Sequence, residues 1–312
     1  SNLSIAHRVI ERFESLTPTN MLPKEILAQV RRLEITTGRL VAESFAGDYL
    51  SVFKGRGMEF ESVREYADGD DPRDIDRNVS ARTGKPFVRR YVEERELTVV
   101  IAADLSASQS FGSADRLKRD SAVEIGAAVA FAALQNNDKV GLAIFTEALE
   151  LFLPPRKGRR HALAVVSEIL AYEPEHRGTS LGSSLEHITR MLKRRCILVL
   201  ISDFRDRGIE RALKLCALKH DLIPVVISDP RELSLPPISA VVEVCDPESG
   251  ARTALDLRGQ AGALAHEESE RRAELLKTFR TCGLEPIISS TDAPSIQPLI
   301  AFFRRRARRK AR

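Results

Sequence analysis

Cysteine is sparse in this chain. The four residues, Cys196, Cys216, Cys245 and Cys282, lie far apart, form no C-x-x-C pair and fall in segments patterned as strands or helices. That spacing excludes a disulfide framework or a zinc–thiolate site and reads as reduced thiols. Long hydrophobic runs are missing too. The longest, Ile125 to Leu134, is too short for a bilayer, which takes about 20 apolar residues. No basic stretch followed by an apolar one opens the sequence, so the expected location is cytoplasmic. Internal repeats and low-complexity linkers are absent. Gly84-Lys85-Pro86 lacks the earlier glycine and the closing Ser or Thr of a Walker A loop. His266-Glu267 carries Glu270 where the second histidine of H-E-x-x-H belongs. Neither ATP hydrolysis nor zincin chemistry is expected.

What is present is charge, unevenly placed. The net charge is +4, yet Arg304, Arg305, Arg306, Arg308, Arg309, Lys310 and Arg312 crowd the last nine residues, so the rest of the chain is mildly acidic. Such a tail can meet nucleic acid, an anionic membrane or an acidic partner. It follows the amphipathic stretch Ile296 to Phe303 and has no interleaved aromatics, which favours a solvated helix end or an acidic partner over specific nucleic-acid binding.

At 312 residues the chain can bury a sizeable core without staples. Pro23 to Ala42 has helical periodicity, with Ile26, Leu27, Val30, Leu33 and Leu40 apolar among charges. Gly55 to Glu96 is rich in charge and turn residues, with one strand-like run at Phe87–Val92. From Leu97 the pattern alternates: strands near 97–103, 139–145, 149–153, 196–202, 221–227 and 285–289, helices near 115–136, 157–171, 181–193, 208–219, 262–282 and 295–309. Alternation of this kind predicts an α/β fold with a doubly wound, mainly parallel sheet. Two β-rich runs around Asp246-Pro-Glu-Ser-Gly250 predict an inserted hairpin over 240–257. The expected organisation is thus 1–96 as an N-terminal helix and charge-rich segment packed on the main domain, 97–303 as that domain, and 304–312 as a basic tail.

The chemistry-bearing segment is Asp104-Leu-Ser-Ala-Ser108, directly after the apolar run Leu97–Ala103. A buried strand there delivers one carboxylate and two hydroxyls to its end. Thr179 precedes a predicted helix, and Asp203 ends the apolar run Cys196–Ser202. In doubly wound sheets, ligands sit outside the carboxyl ends of strands where strand order reverses. Oxygen donors with few charges suit Mg²⁺, which takes about six oxygens at roughly 2.0–2.1 Å and keeps several waters. Asp104, Ser106, Ser108, Thr179 and Asp203, in this order and on these elements, resemble the metal-ion-dependent adhesion site of von Willebrand factor A domains. The resemblance implies Mg²⁺ or Mn²⁺ held directly by Ser106, Ser108 and Thr179, with Asp104 and Asp203 holding its waters and a partner's acidic side chain completing the shell.

A second resemblance lies upstream. Gly55-Arg-Gly-Met-Glu-Phe60, Arg64-Glu-Tyr66, Gly69-Asp-Asp-Pro-Arg73, Ile75-Asp76 and Ala81-Arg-Thr-Gly84 look like the signature of bacterial von Willebrand factor A-like proteins associated with MoxR-type AAA+ ATPases. Arg77 stands where that family usually has Trp, and Gln109 where Met often follows the second serine. The resemblance implies a non-enzymatic accessory or adaptor that works with such an ATPase, or with its client, in protein maturation or assembly. From the residues themselves, Asp68, Asp70, Asp71, Asp74 and Asp76 opposite Arg64, Arg73, Arg77, Arg82, Arg89 and Arg90 read as an ion-pair network. One enzymatic alternative remains. Gly178-Thr-Ser-Leu-Gly182 satisfies G-x-S-x-G, with Asp203 and His220 or His266 following in hydrolase order, which would make Ser180 a nucleophile. The polar, Pro-interrupted Tyr172–Gly178 stretch is unlike the buried strand that precedes a nucleophile elbow.

Overall fold

The computed structural model describes residues 24–44, 49, 58–93, 96–113, 116–233 and 240–310. In chain order the elements are α1 (Lys24–Ser44), β1 (Met58–Glu65), α2 (Arg77–Thr83), β2 (Phe87–Glu93), β3 (Thr98–Asp104), α3 (Lys118–Gln135), β4 (Lys139–Phe145), β5 (Leu149–Arg156), α4 (Arg159–Ala171) and α5 (Leu181–Met191). They continue as β6 (Ile197–Ser202), α6 (Glu210–Lys219), β7 (Asp221–Ser228), α7 (Pro230–Leu233), β8 (Val241–Cys245), β9 (Arg252–Asp256), α8 (Leu257–Thr281), β10 (Ile287–Ser290) and α9 (Ile296–Lys310).

Six strands form the main sheet in the order β10-β7-β6-β3-β4-β5. Every pairing is parallel except the antiparallel edge β4–β5. The sheet is doubly wound and mainly parallel, as the alternation of strand and helix patterns predicts, and the fold is von Willebrand factor A-like. Strands covered on both faces need apolar residues at every position, and successive side chains divide between the faces. Val99 and Ile101 of β3, Val199 and Ile201 of β6, and Ile223 and Val225 of β7 pack with helices α1, α3, α4 and α9. Val100, Ala102, Leu198 and Leu200 point the other way, onto α5, α6 and α8. Pro224 is tolerated inside β7 because β10 begins opposite Val225, so no strand neighbours Pro224 on that side.

Upstream of the sheet, β1 and β2 form a separate antiparallel pair. The sequence pattern gives no sign of β1, because its register shifts between Phe60 and Ser62 and the bulge breaks the period of two. The acid-rich segment uses its charges locally rather than as one network. Arg64 forks onto Asp70 with contacts of 2.7 and 2.6 Å, and Arg89 reaches Asp76 at 3.6 Å. Asp71 accepts from the Arg73 amide, while Asp76 caps α2 through the amides of Asn78 and Val79. Gly84 closes α2 at φ +71°, a conformation that favours glycine. Residues 1–23 and the opening Gly55–Gly57 of the signature lie outside the described residues.

The predicted hairpin is present as β8–β9. At the C-terminal end, Arg304 to Lys310 belong to α9. There Arg305 and Arg309 reach Glu285 at 3.3 and 2.7 Å, and Arg306 reaches Asp221 at 2.5 Å. Among the described residues no helix is long and apolar enough to cross a membrane.

Candidate functional site

β3 and β6 are neighbours, with Ala103 opposite Ile201, so Asp104 and Asp203 emerge side by side. The chain runs from β3 to β4 and β5 on one side, then crosses to β6, β7 and β10 on the other. The two aspartates therefore stand at the topological switch point. Both are buried, with 0 and 3% of their surface exposed.

Past β3 the backbone tightens into a short 3₁₀ turn, Ala107–Ser110. Asp104 fixes its entry: Oδ1 accepts from the Ser106 amide at 2.9 Å, and Oδ2 from the Ser202 hydroxyl at 2.7 Å. The Ser106 and Ser108 hydroxyls lie 3.0 Å apart, and Ser108 helps to hold the Asp203 carboxyl below its ordinary range. Four of the five expected ligands are thus joined in one cluster. The Thr179 loop is held beside them, because the Ala107 amide donates to the Arg177 carbonyl at 2.9 Å and the Ser180 amide to the Thr146 carbonyl at 3.0 Å. At Gly178 a Cβ would sit 2.6 Å from Glu147 Oε1, so a larger residue there would displace the Glu147 side chain. Ser108 and Thr179 line a single cleft of about 1510 Å³ beneath the β8–β9 hairpin. Within it the Thr179 hydroxyl donates to Glu248 Oε1 at 2.6 Å.

Several participants give no sequence signal. Lys118, at the start of α3, is fully buried and donates to Asp203 Oδ2 and Glu232 Oε1, both at 2.7 Å. Ser202 and Glu248 complete the surroundings. Of these only Ser202, adjacent to Asp203, was within reach of inspection of the sequence.

Electrostatics sets the chemistry. Burial, and next the charge of Asp203, push the Asp104 carboxyl up to about 7, although the Ser202 and Ser106 hydrogen bonds oppose the shift. Burial also pushes Asp203 up, but the Lys118 ammonium beside it, together with Arg205 and Ser108, holds it below the ordinary range. Lys118 thus serves Asp203 and Glu232, with Arg205 also 3.5 Å from Glu232, while Asp104 has hydroxyl and amide donors instead of a cation. Two buried carboxylates beside the Ser106 and Ser108 hydroxyls, one of them without a cationic partner among the described residues, form a hard-oxygen donor set of the kind that fits a divalent cation such as Mg²⁺.

A raised folded-state pKa means that the folded form binds the proton more tightly than the unfolded chain. Asp104 should therefore favour folding at low pH and lose that contribution as pH rises through about 7. In EDTA, the stability difference between wild type and Asp104→Asn should move against wild type between pH 5 and about 8. A difference flat across that range, measured by urea melts, would contradict the burial of a repelled carboxylate at this position.

The hydrolase constellation is not assembled. Ser180 Oγ contacts Ser183 Oγ at 2.7 Å. His220 lies against Cys196 at 3.3 Å, where β6 and β7 begin and away from Asp203. His266 is exposed and faces Glu270 at 3.4 Å.

The chain belongs to the protein family of unknown function DUF58, whose model matches residues 62–274. It is 31% identical over 288 residues to an uncharacterized protein of Mycobacterium bovis, which spans 91% of this chain and 90% of the relative. Among solved structures it is similar to an aerotolerance-related membrane protein from Bacteroides fragilis, carrying multiple mutations to serine, at TM-score 0.44 and 16% identity over 68% of this chain and 99% of that one. It is also similar to the conserved hypothetical protein BatB from Bacteroides thetaiotaomicron, at TM-score 0.43 and 15% identity over 69% and 98% of the two chains.

Proposed function

We propose that this protein is a divalent-cation-dependent interaction module rather than an enzyme, an accessory to a MoxR-type AAA+ ATPase that engages the ATPase or its client. The observation that carries the reading is the buried pair Asp104 and Asp203 at the switch point beside Ser106 and Ser108, with Ser108 and Thr179 opening onto one cleft. Ser106, Ser108 and Thr179 would hold Mg²⁺ or Mn²⁺ by their hydroxyls, and Asp104 and Asp203 would hold its waters. When bound, the cation supplies an electrophilic position for a carboxylate oxygen. The protein's own contribution is to orient the hydroxyls, and the Asp104 contacts to the Ser106 amide and Ser202 hydroxyl do this.

Part of the basic charge of the C-terminal residues is engaged within the domain, since Arg305 and Arg309 share Glu285 and Arg306 pairs with Asp221, which counts against polyanion or membrane binding. A cytoplasmic site of action suits an ATPase partner. The test is a pull-down from the native host with the full chain, in Mg²⁺ and in EDTA. An AAA+ ATPase or a client should be retained in Mg²⁺, released by EDTA and lost with Asp104→Ala. Retention that survives both would remove the cation from the function.

A further inference from the structure

The hairpin does more than decorate the domain. Among the described residues strands β8 and β9 pair only with each other, and Val241 is 55% exposed. A two-stranded hairpin is marginal in water without a packing partner, so its attachments decide where it sits. At its base the Leu257 amide donates to the Ala240 carbonyl at 3.1 Å, and α8 continues directly from β9. At its tip the turn is locked from within: Asp246 accepts from the Glu248 amide at 3.0 Å, and the Gly250 amide donates to the Asp246 carbonyl at 2.8 Å with Gly250 at φ +71°. That rigid turn presents Glu248, and the carboxylate meets the Thr179 hydroxyl across 69 positions of sequence.

We infer that Glu248 is the internal carboxylate of this site: the hairpin seats it in the cleft beside Thr179, where a partner's acidic side chain must enter, so that a partner binds by displacing the hairpin tip. The inference rests on the cation-dependent reading above. Its physical basis is the pairing itself. Thr179 has one hydroxyl proton, and by giving it to Glu248 it turns its lone pairs away from that contact. A carboxylate already in the cleft raises the local negative charge, which favours a divalent cation and disfavours a second acid. Removing Glu248 should therefore weaken cation binding and strengthen carboxylate binding, two changes of opposite sign that a merely structural residue would not produce together.

The experiment uses the full chain with Mn²⁺ as the cation probe and acetate as the carboxylate probe. Isothermal titration gives Mn²⁺ affinity, and the water-proton relaxivity of bound Mn²⁺ reports on its exchangeable waters. Glu248→Gln keeps the Asp246 and Gly250 contacts of the turn, and Glu248→Ala serves as a second variant. Both should bind Mn²⁺ about tenfold more weakly, the low end for loss of an outer-shell carboxylate. In both, acetate should lower the relaxivity at several-fold lower concentration than in wild type. Glu243→Gln, on the exposed hairpin strand β8, should match wild type in each respect. An acetate response unchanged by Glu248→Gln and Glu248→Ala overturns the inference even if Mn²⁺ affinity falls, while Mn²⁺ binding that is lost with Asp104→Ala leaves the cation reading standing. Failure of wild type to bind Mn²⁺ overturns both.

Discussion

Replacing Lys118 with methionine should cost about 3–5 kcal/mol, the usual result of removing one partner from a buried ion pair. For a domain of this size that lowers the melting temperature by on the order of 10 °C. The hydrocarbon stem is nearly preserved in methionine, so packing is not the cause. The loss arises because Asp203 and Glu232 keep their charges with no ammonium 2.7 Å from either, and Asp203 is too buried for water to compensate. Adding Asp203→Asn to Lys118→Met should recover part of the loss, since removing both partners costs less than removing one. A single mutant within about 1 kcal/mol of wild type in urea denaturation would show that Asp203 takes up a proton at no cost, and that Lys118 does not hold it ionised.

The same lysine marks where sequence reading stops. Strands β3 and β6 are legible because burial on both faces demands an unbroken apolar run, and each run ends at an aspartate followed by turn residues. Their adjacency follows from the expectation that ligand groups gather at a switch point, and the sheet order agrees. Lys118 opens a helix in a sequence otherwise dense in charge, and a lysine there looks like any solvated one. Its burial depends on α3 starting beneath the carboxyl end of β6, a contact that spans 85 positions. Glu248 is hidden for the same reason: a carboxylate in a hairpin turn carries no mark of the hydroxyl it meets.

Other gaps have local causes. The bulge at Phe60 and Ser62 erases the alternation that would have announced β1. In the acid-rich segment the expected ion pairs are there in part, but Asp71 and Asp76 also serve backbone amides, a use that charge counting cannot separate from pairing. The basic residues after Phe303 are visible in any composition count. That three of them pair with only two carboxylates, Arg305 and Arg309 with Glu285 and Arg306 with Asp221, is a tertiary fact.

The proposed cation site makes a second large effect calculable. A ligand that binds only the folded state at about one hundred times its dissociation constant stabilises by roughly 2.7 kcal/mol, which for a domain near this size raises the melting temperature by about 5–10 °C. Millimolar Mg²⁺ or Mn²⁺ should produce such a rise near neutral pH. It should shrink below pH 7, where protons compete for Asp104. Asp104→Ala should abolish the rise, because the acceptor that orients the Ser106 amide and the charge nearest Asp203 vanish together. Ser106→Ala, Ser108→Ala and Thr179→Ala should each reduce it. Ser180→Ala should leave it nearly intact, since that hydroxyl is turned to Ser183 and does not line the cleft. The order of effects matters more than any single value. A hydrolase would lose activity with Ser180→Ala and keep its melting curve, whereas a cation-held interaction site loses its stabilisation with Asp104→Ala and tolerates Ser180→Ala. Melting curves of wild type that do not move with either cation would leave Asp104 and Asp203 as a buried pair balanced by Lys118 and the hydroxyls alone, and partner binding would then have to be sought elsewhere along the cleft.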